Sequence, residues 1–179
     1  RAGISGGTVY ANFLGNVINK GLNQTLTDYG LSDCIGKTPE EIFAKLADKI
    51  SPSGDTNEDA IARKALLASL ETLYEKHVAA DSITALESLN ETDLIDAATE
   101  YMSSYIYYKW LYELGLAIEN KQIDESRAIE LEKEIKDFIH DEVKLELKNV
   151  DITTADFSNG KEKKIITDIF DQSYSTISA

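Results

Sequence analysis

Thr38-Pro39-Glu40-Glu41-Ile42-Phe43-Ala44-Lys45-Leu46-Ala47-Asp48-Lys49-Ile50 breaks at Ser51-Pro52-Ser53-Gly54-Asp55 and restarts as Thr56-Asn57-Glu58-Asp59-Ala60-Ile61-Ala62-Arg63. Each half opens with the chemistry of a helix start. Thr38 offers an oxygen to a free backbone N–H, Pro39 suits the first helical position, and Glu41 completes a capping box. Thr56 and Asp59 repeat the box after the break. Ile42, Phe43, Leu46 and Ile50 then return at helical spacing, as do Ile61, Ala65, Leu66, Leu70, Leu73 and Tyr74. The segment reads helix, turn, helix.

The same pattern extends in both directions. A first helix is expected from Ser5 or Thr8 to Asp28, with Val9, Phe13, Val17, Leu22 and Leu26 inward and Tyr29-Gly30 as its stop. Gly3-Ile4-Ser5-Gly6-Gly7-Thr8 has neither a preceding strand nor the Gly-Lys-Ser/Thr ending of a phosphate-binding loop. It reads as a flexible lead-in capped by Ser5 or Thr8. Residues 31–37 form a connector around Cys34. The second helix is Pro39 to Ile50, and the third runs from Asn57 to about Ala80. A short helical connector, residues 81–89, leads to a fourth helix capped by Asn90 or Thr92 and reaching about Asn120. Asp124 caps a fifth from Glu125 to about Lys148, with Leu131, Ile135, Phe138, Ile139 and Leu145 inward. After a polar loop, residues 150–159, a sixth helix follows Gly160 and buries Ile165, Ile166, Ile169 and Phe170. The expected fold is all-α: one domain over residues 1–179, a compact bundle of about six helices around a tyrosine-rich central one.

That central helix holds Tyr101, Tyr105, Tyr107, Tyr108, Trp110 and Tyr112 within twelve residues. Tyr101, Tyr105, Tyr108 and Tyr112 follow 4-3-4 spacing and are assigned to the core. A helix apolar nearly all round is usually enclosed by others. Tyr107 and Trp110 lie off that stripe and are the candidate partner-binding anchors, because Tyr and Trp dominate interface hot spots.

Charge and chemistry exclude more than they assign. A net charge of −14 argues against direct binding of a phosphate backbone, which needs clustered Lys and Arg. The stretch Tyr101 to Ile118, the most apolar candidate for a membrane span, is interrupted by Lys109 and Glu113. One cysteine forbids an internal disulfide, and a cytoplasmic location is expected. One cysteine and two scattered histidines do not make a closed zinc set. Neither His77 nor His140 follows a glutamate by three residues, as a di-iron bundle requires. His140 is expected to be solvated near Lys136 and Lys144. No catalytic, cofactor-binding or metal residue is assigned, and no enzyme activity is expected. The chain opens at Arg1 without methionine and reads as part of a longer polypeptide.

The arrangement Arg1-x-Gly3, Phe13-Leu14-Gly15, Gly36-Lys37-Thr38-Pro39-Glu40-Glu41-Ile42-Phe43, Leu46-Ala47-Asp48 and Pro52-Ser53-Gly54 leading to Ala60-Ile61-Ala62-Arg63 resembles QatB, the Qat anti-phage system associated protein family of bacteria. Beyond Arg63 the likeness is one of helix length and apolar spacing, with Asp137-Phe138-Ile139 similar to the family's fifth helix. The resemblance implies a non-enzymatic member of a four-gene defence operon. Its neighbours there are an ATPase, a QueC-like enzyme and a TatD-like nuclease, with the QueC-like protein as direct partner. It also implies an N-terminal tail, absent from these residues, that is presented to that enzyme as a target of modification. Two other readings stay open: an acidic inhibitor or antitoxin-like protein blocking a basic nucleic-acid site, and a helical bundle binding a small molecule in a cavity lined by Tyr105 and Tyr108.

Overall fold

A computed structural model describes residues 2–51, 56–77, 84–152, 154–156 and 159–178, and among these every regular element is helical. In chain order they are α1 (Ala2–Lys20), α2 (Leu22–Asp28), a 3-10 turn (Ser32–Cys34), α3 (Pro39–Ile50), α4 (Asn57–His77), α5 (Thr84–Glu87), α6 (Glu91–Glu119), α7 (Glu125–Leu147) and α8 (Gly160–Ser178). The expected all-α bundle is what forms. Residues 52–55 of the expected break, the third helix's end near Ala80 and the start of the connector at Asp81 lie outside the described residues. So do residues 153, 157 and 158 of the expected loop.

The starts obey the capping chemistry. The Glu41 N–H donates to Thr38 Oγ1 at 3.3 Å, and the Thr38 N–H donates to Glu41 Oε2 at 3.0 Å. The Asp59 N–H donates to Thr56 Oγ1 at 3.1 Å. Asn90, not Thr92, caps α6, in a reciprocal pair with Asp93. Asp124 Oδ1 accepts from the Arg127 N–H at 2.9 Å. Between α3 and α4, Arg63 ties the corner together: it donates to the Ser51 carbonyl at 2.9 Å and meets Asp48 at 2.8 Å.

Two expectations near the N-terminus need correction. The glycine-rich lead-in is itself helical, as the first turns of α1. Its glycines admit close packing: a Cβ on Gly6 would lie 2.8 Å from Tyr101 Oη, and one on Gly7 2.1 Å from Met102 Cε. Backbone against side chain at that distance leaves room for hydrogen only. The expected first helix is also two helices, split at Gly21, whose φ of 85° lies outside helical space. Beyond it, Gly30 (φ 71°) ends α2 in a Schellman turn, with Leu31 N–H on the Leu26 carbonyl and Gly30 N–H on that of Thr27.

Helix α6 lies at the centre and packs on α1, α4, α7 and α8. Its partners each contribute one stripe: Tyr10, Leu14 and Val17 from α1; Leu66, Leu70 and Leu73 from α4; Leu131, Ile135, Ile139, Val143 and Leu147 from α7; Ile166 and Ile169 from α8. Ile152 and Ala155 pin the loop before α8 onto the same core, so that loop is not simply polar. Two aliphatic residues expected inside face out. Val9 is 39% exposed because the α1 stripe runs through Gly7, Tyr10, Ala11 and Leu14 instead. Leu145 is 55% exposed because Val143 and Leu147 take the inward positions.

Helix α6 ends in a second Schellman turn, with Lys121 N–H on Ile118 and Gln122 N–H on Ala117. Here the left-handed position is held by a lysine, Lys121, at φ 57°. An L side chain in that region costs about 1–2 kcal/mol. Lys121→Gly is therefore expected to raise stability by about 1 kcal/mol. Urea unfolding should show a higher midpoint at unchanged slope; an unchanged or lower midpoint would refute the strain argument.

Candidate functional site

Helix α6 turns Tyr101, Met102, Tyr105, Ile106, Trp110 and Leu114 fully inward. A strip through Glu100, Ser104, Tyr107, Tyr108, Leu111 and Ile118 stays partly open, while Tyr112 and Leu116 on the same helix are exposed. The strip lies between α4 and α7. Lys64 of α4 sits 5.9 Å from the Tyr108 ring centre, and Lys136 of α7 sits 5.5 Å from that of Tyr107. Tyr107 Oη donates to Glu132 of α7 at 2.8 Å. Burial first, and then that carboxylate, hold the Tyr107 phenol above its ordinary pKa. The strip is thus an aromatic ridge with charged walls, a composition that suits a partner able to cover rings while meeting charges at the rim.

The two candidate anchors fare differently. Tyr107 lies on the ridge, half-buried. Trp110 has no exposed surface. Its indole N–H donates to the Ser173 carbonyl of α8 at 3.0 Å, and its ring lies nearly parallel to that of Tyr107 at 6.5 Å. In this fold it is a core residue that backs Tyr107 and cannot itself touch a partner. The tyrosine stripe also departs from expectation. Tyr101 and Tyr105 are buried, Tyr108 is half-buried, and Tyr112 is 42% exposed, with its oxygen accepting from Asn57. The stripe runs from core to surface, and Tyr112 reaches the start of α4 at Asn57. Tyr105 donates to Glu58 at 3.0 Å.

Further along the same strip, α4, α6 and α7 enclose a cleft of about 210 Å³. Its lining includes Ser69, Thr72, Leu73 and Lys76 from α4, Asp93, Asp96, Ala97, Thr99 and Glu100 from α6, and His140 and Lys144 from α7. Lys76 is already matched, to Asp96 at 2.9 Å and Asp93 at 3.7 Å, and these carboxylates push its ammonium pKa upward. Ser69 is matched too, donating to the Ala97 carbonyl at 2.8 Å while the buried Tyr10 hydroxyl donates to it at 3.0 Å.

Thr99 is not matched. It is 3% exposed, yet its Oγ1 has no hydrogen-bond partner. Other helical hydroxyls here return to the carbonyl four residues back, as Thr25, Thr27, Thr72, Ser103, Thr167 and Ser173 all do. Leaving such a group buried and unpaired costs about 1–3 kcal/mol. Sequence reading missed this cleft; His140 borders it beside Lys144, and its side chain stays 45% exposed, as expected of a solvated group. The signal that was present is weak: a threonine between Ala97-Ala98 and Glu100 in α6.

Other chemistry is sparse. Cys34 is buried, and desolvation followed by the Asp33 carboxylate pushes its thiol pKa up, away from nucleophilic use. Among the described residues no three His, Cys, Asp or Glu side chains are grouped to hold a metal, and no helix is long and apolar enough to cross a membrane.

The family model described as QatB, Qat anti-phage system associated protein QatB, matches residues 1–177 of this chain. No curated protein and no solved structure matches it.

Proposed function

The chain belongs to the QatB family and is thereby a component of the Qat anti-phage system; from that premise we propose that it is a non-enzymatic scaffold. In this reading residues 1–179 act as one helical domain that docks the system's QueC-like enzyme and presents an N-terminal tail to it for modification. The operon's ATPase and TatD-like nuclease act on the same assembly, in the cytoplasm. The observation that supports docking is the Tyr107–Tyr108–Leu111 ridge, left half-open between α4 and α7 on a helix whose Tyr101, Tyr105, Ile106 and Trp110 are buried. A central helix that shows rings to solvent along one side has apolar area to gain by being covered.

Tyr107 is the anchor this reading selects. Tyr107→Ala is expected to weaken the complex with the QueC-like protein by ~2 kcal/mol or more, a loss of roughly thirty-fold. Tyr107→Phe keeps the ring, loses only the bond to Glu132, and should retain most of the affinity. Titration of purified partners, with circular dichroism on each variant, makes the comparison. A folded Tyr107→Ala protein that binds at full affinity would remove the ridge from the interface. Dissociation merely on raising salt would point instead to the charged walls as the main attraction.

A further inference from the structure

We propose that the cleft between α4, α6 and α7 is a binding site for a small zwitterion of the free amino acid class. The chemistry of the lining selects that class. Glu100 on α6 and Lys144 on α7 border one cleft, yet neither is in an ion pair within 4 Å, with the other or with any described residue. Opposite charges held in one cleft without neutralising each other fit a molecule that carries both signs. The ammonium of the ligand faces Glu100 and its carboxylate faces Lys144. Lys76, Asp93 and Asp96 are already paired with one another and border the same cleft. Leu73 and Ala97 supply an apolar wall for a side chain, and a volume of about 210 Å³ suits one amino acid rather than a peptide.

The independent observation is Thr99. Its buried hydroxyl forgoes the backbone carbonyl that comparable groups in this chain use, and it stands beside the same cleft. A rotation of the Thr99 side chain brings the hydroxyl to a polar group of a bound ligand, which completes it. This inference does not depend on the docking reading, since it concerns the protein alone.

The test is an NMR titration of the isotopically labelled chain with the common free amino acids at millimolar concentration. Each amino acid that binds is repeated as its N-acetyl derivative and as its amide, which lack one charge each. At least one free amino acid should shift the backbone signals of Thr99, Glu100 and Lys144, and both single-charge derivatives should bind at least ten-fold more weakly. Glu100→Gln should weaken binding of the free form about ten-fold without unfolding the chain, because its side chain is not part of the core. Lys144→Met should do the same. Thr99→Val, which keeps the shape and removes the hydroxyl, should weaken binding while leaving the melting temperature equal or higher. Absence of shifts with every amino acid would overturn the proposal. Equal binding of the amide would also overturn it, by assigning the cleft to the N-terminus of a peptide.

Discussion

Trp110→Ala is expected to destabilise the domain by about 3–5 kcal/mol, a large part of the 5–15 kcal/mol that holds a typical domain folded. The indole is the largest fully buried side chain, and its removal leaves a cavity where α6 meets α8. It also leaves the Ser173 carbonyl with one donor fewer; Thr176 Oγ1 remains at 2.6 Å. Trp110→Phe separates the two contributions, since it keeps much of the volume and loses the N–H. It should cost less than the alanine change. Thermal and urea unfolding followed by circular dichroism measure both. An alanine variant that melts within a few degrees of the parent would contradict the burial described for this residue. Lost partner binding by Trp110→Ala would then report lost structure before it reported a lost contact.

Gly7→Ala should also destabilise, by about 1–3 kcal/mol, although alanine favours a helix by about 1 kcal/mol over glycine. The new methyl would sit 2.1 Å from Met102 Cε and 3.0 Å from Tyr101 Cε1. The methionine end can swing, but the Tyr101 ring is packed in the core and cannot give as freely. Gly115 supplies the control: it lies in α6 with nothing within 4 Å of the same methyl, so Gly115→Ala should gain stability. Opposite signs for one substitution at two helical glycines would establish that contact, not propensity, decides. Shortening the neighbour in a Gly7→Ala, Met102→Ala pair should cost less than the sum of the single changes. Simple additivity would rule out the clash.

Much of this fold was legible because its signals are local. Thr38 with Glu41, Thr56 with Asp59, and Asp124 are read within four residues, and the structure forms each of these caps, whereas the choice between Asn90 and Thr92 was left to the structure. Side-chain direction on α6 was not legible. With apolar residues around nearly the whole circumference, nothing in one dimension says that Trp110 faces α8 and Tyr107 faces α7. The glycines of α1 failed for a related reason. Glycine marks a break when its backbone turns and a close contact when a neighbour presses on it, and only Tyr101 and Met102 distinguish the two. Gly21 was the reverse case, a real break hidden among residues that continue to alternate like a helix. The cleft combines residues 69–76, 93–100 and 140–144, so no window of sequence contains it.

The seating of Trp110 has an optical consequence. It is the only tryptophan, so the long-wavelength emission of the whole chain comes from one ring between α8 and Tyr107. Helix α8 rests chiefly on α6 and α7. If it peels away, water reaches the indole and the emission moves to the red, while most of the helical signal persists. Unfolding watched by light and by helicity would then follow two curves, and the interval between them measures how firmly the C-terminal helix is held. The same ring, stacked behind Tyr107, provides a built-in reporter of anything that settles on the ridge.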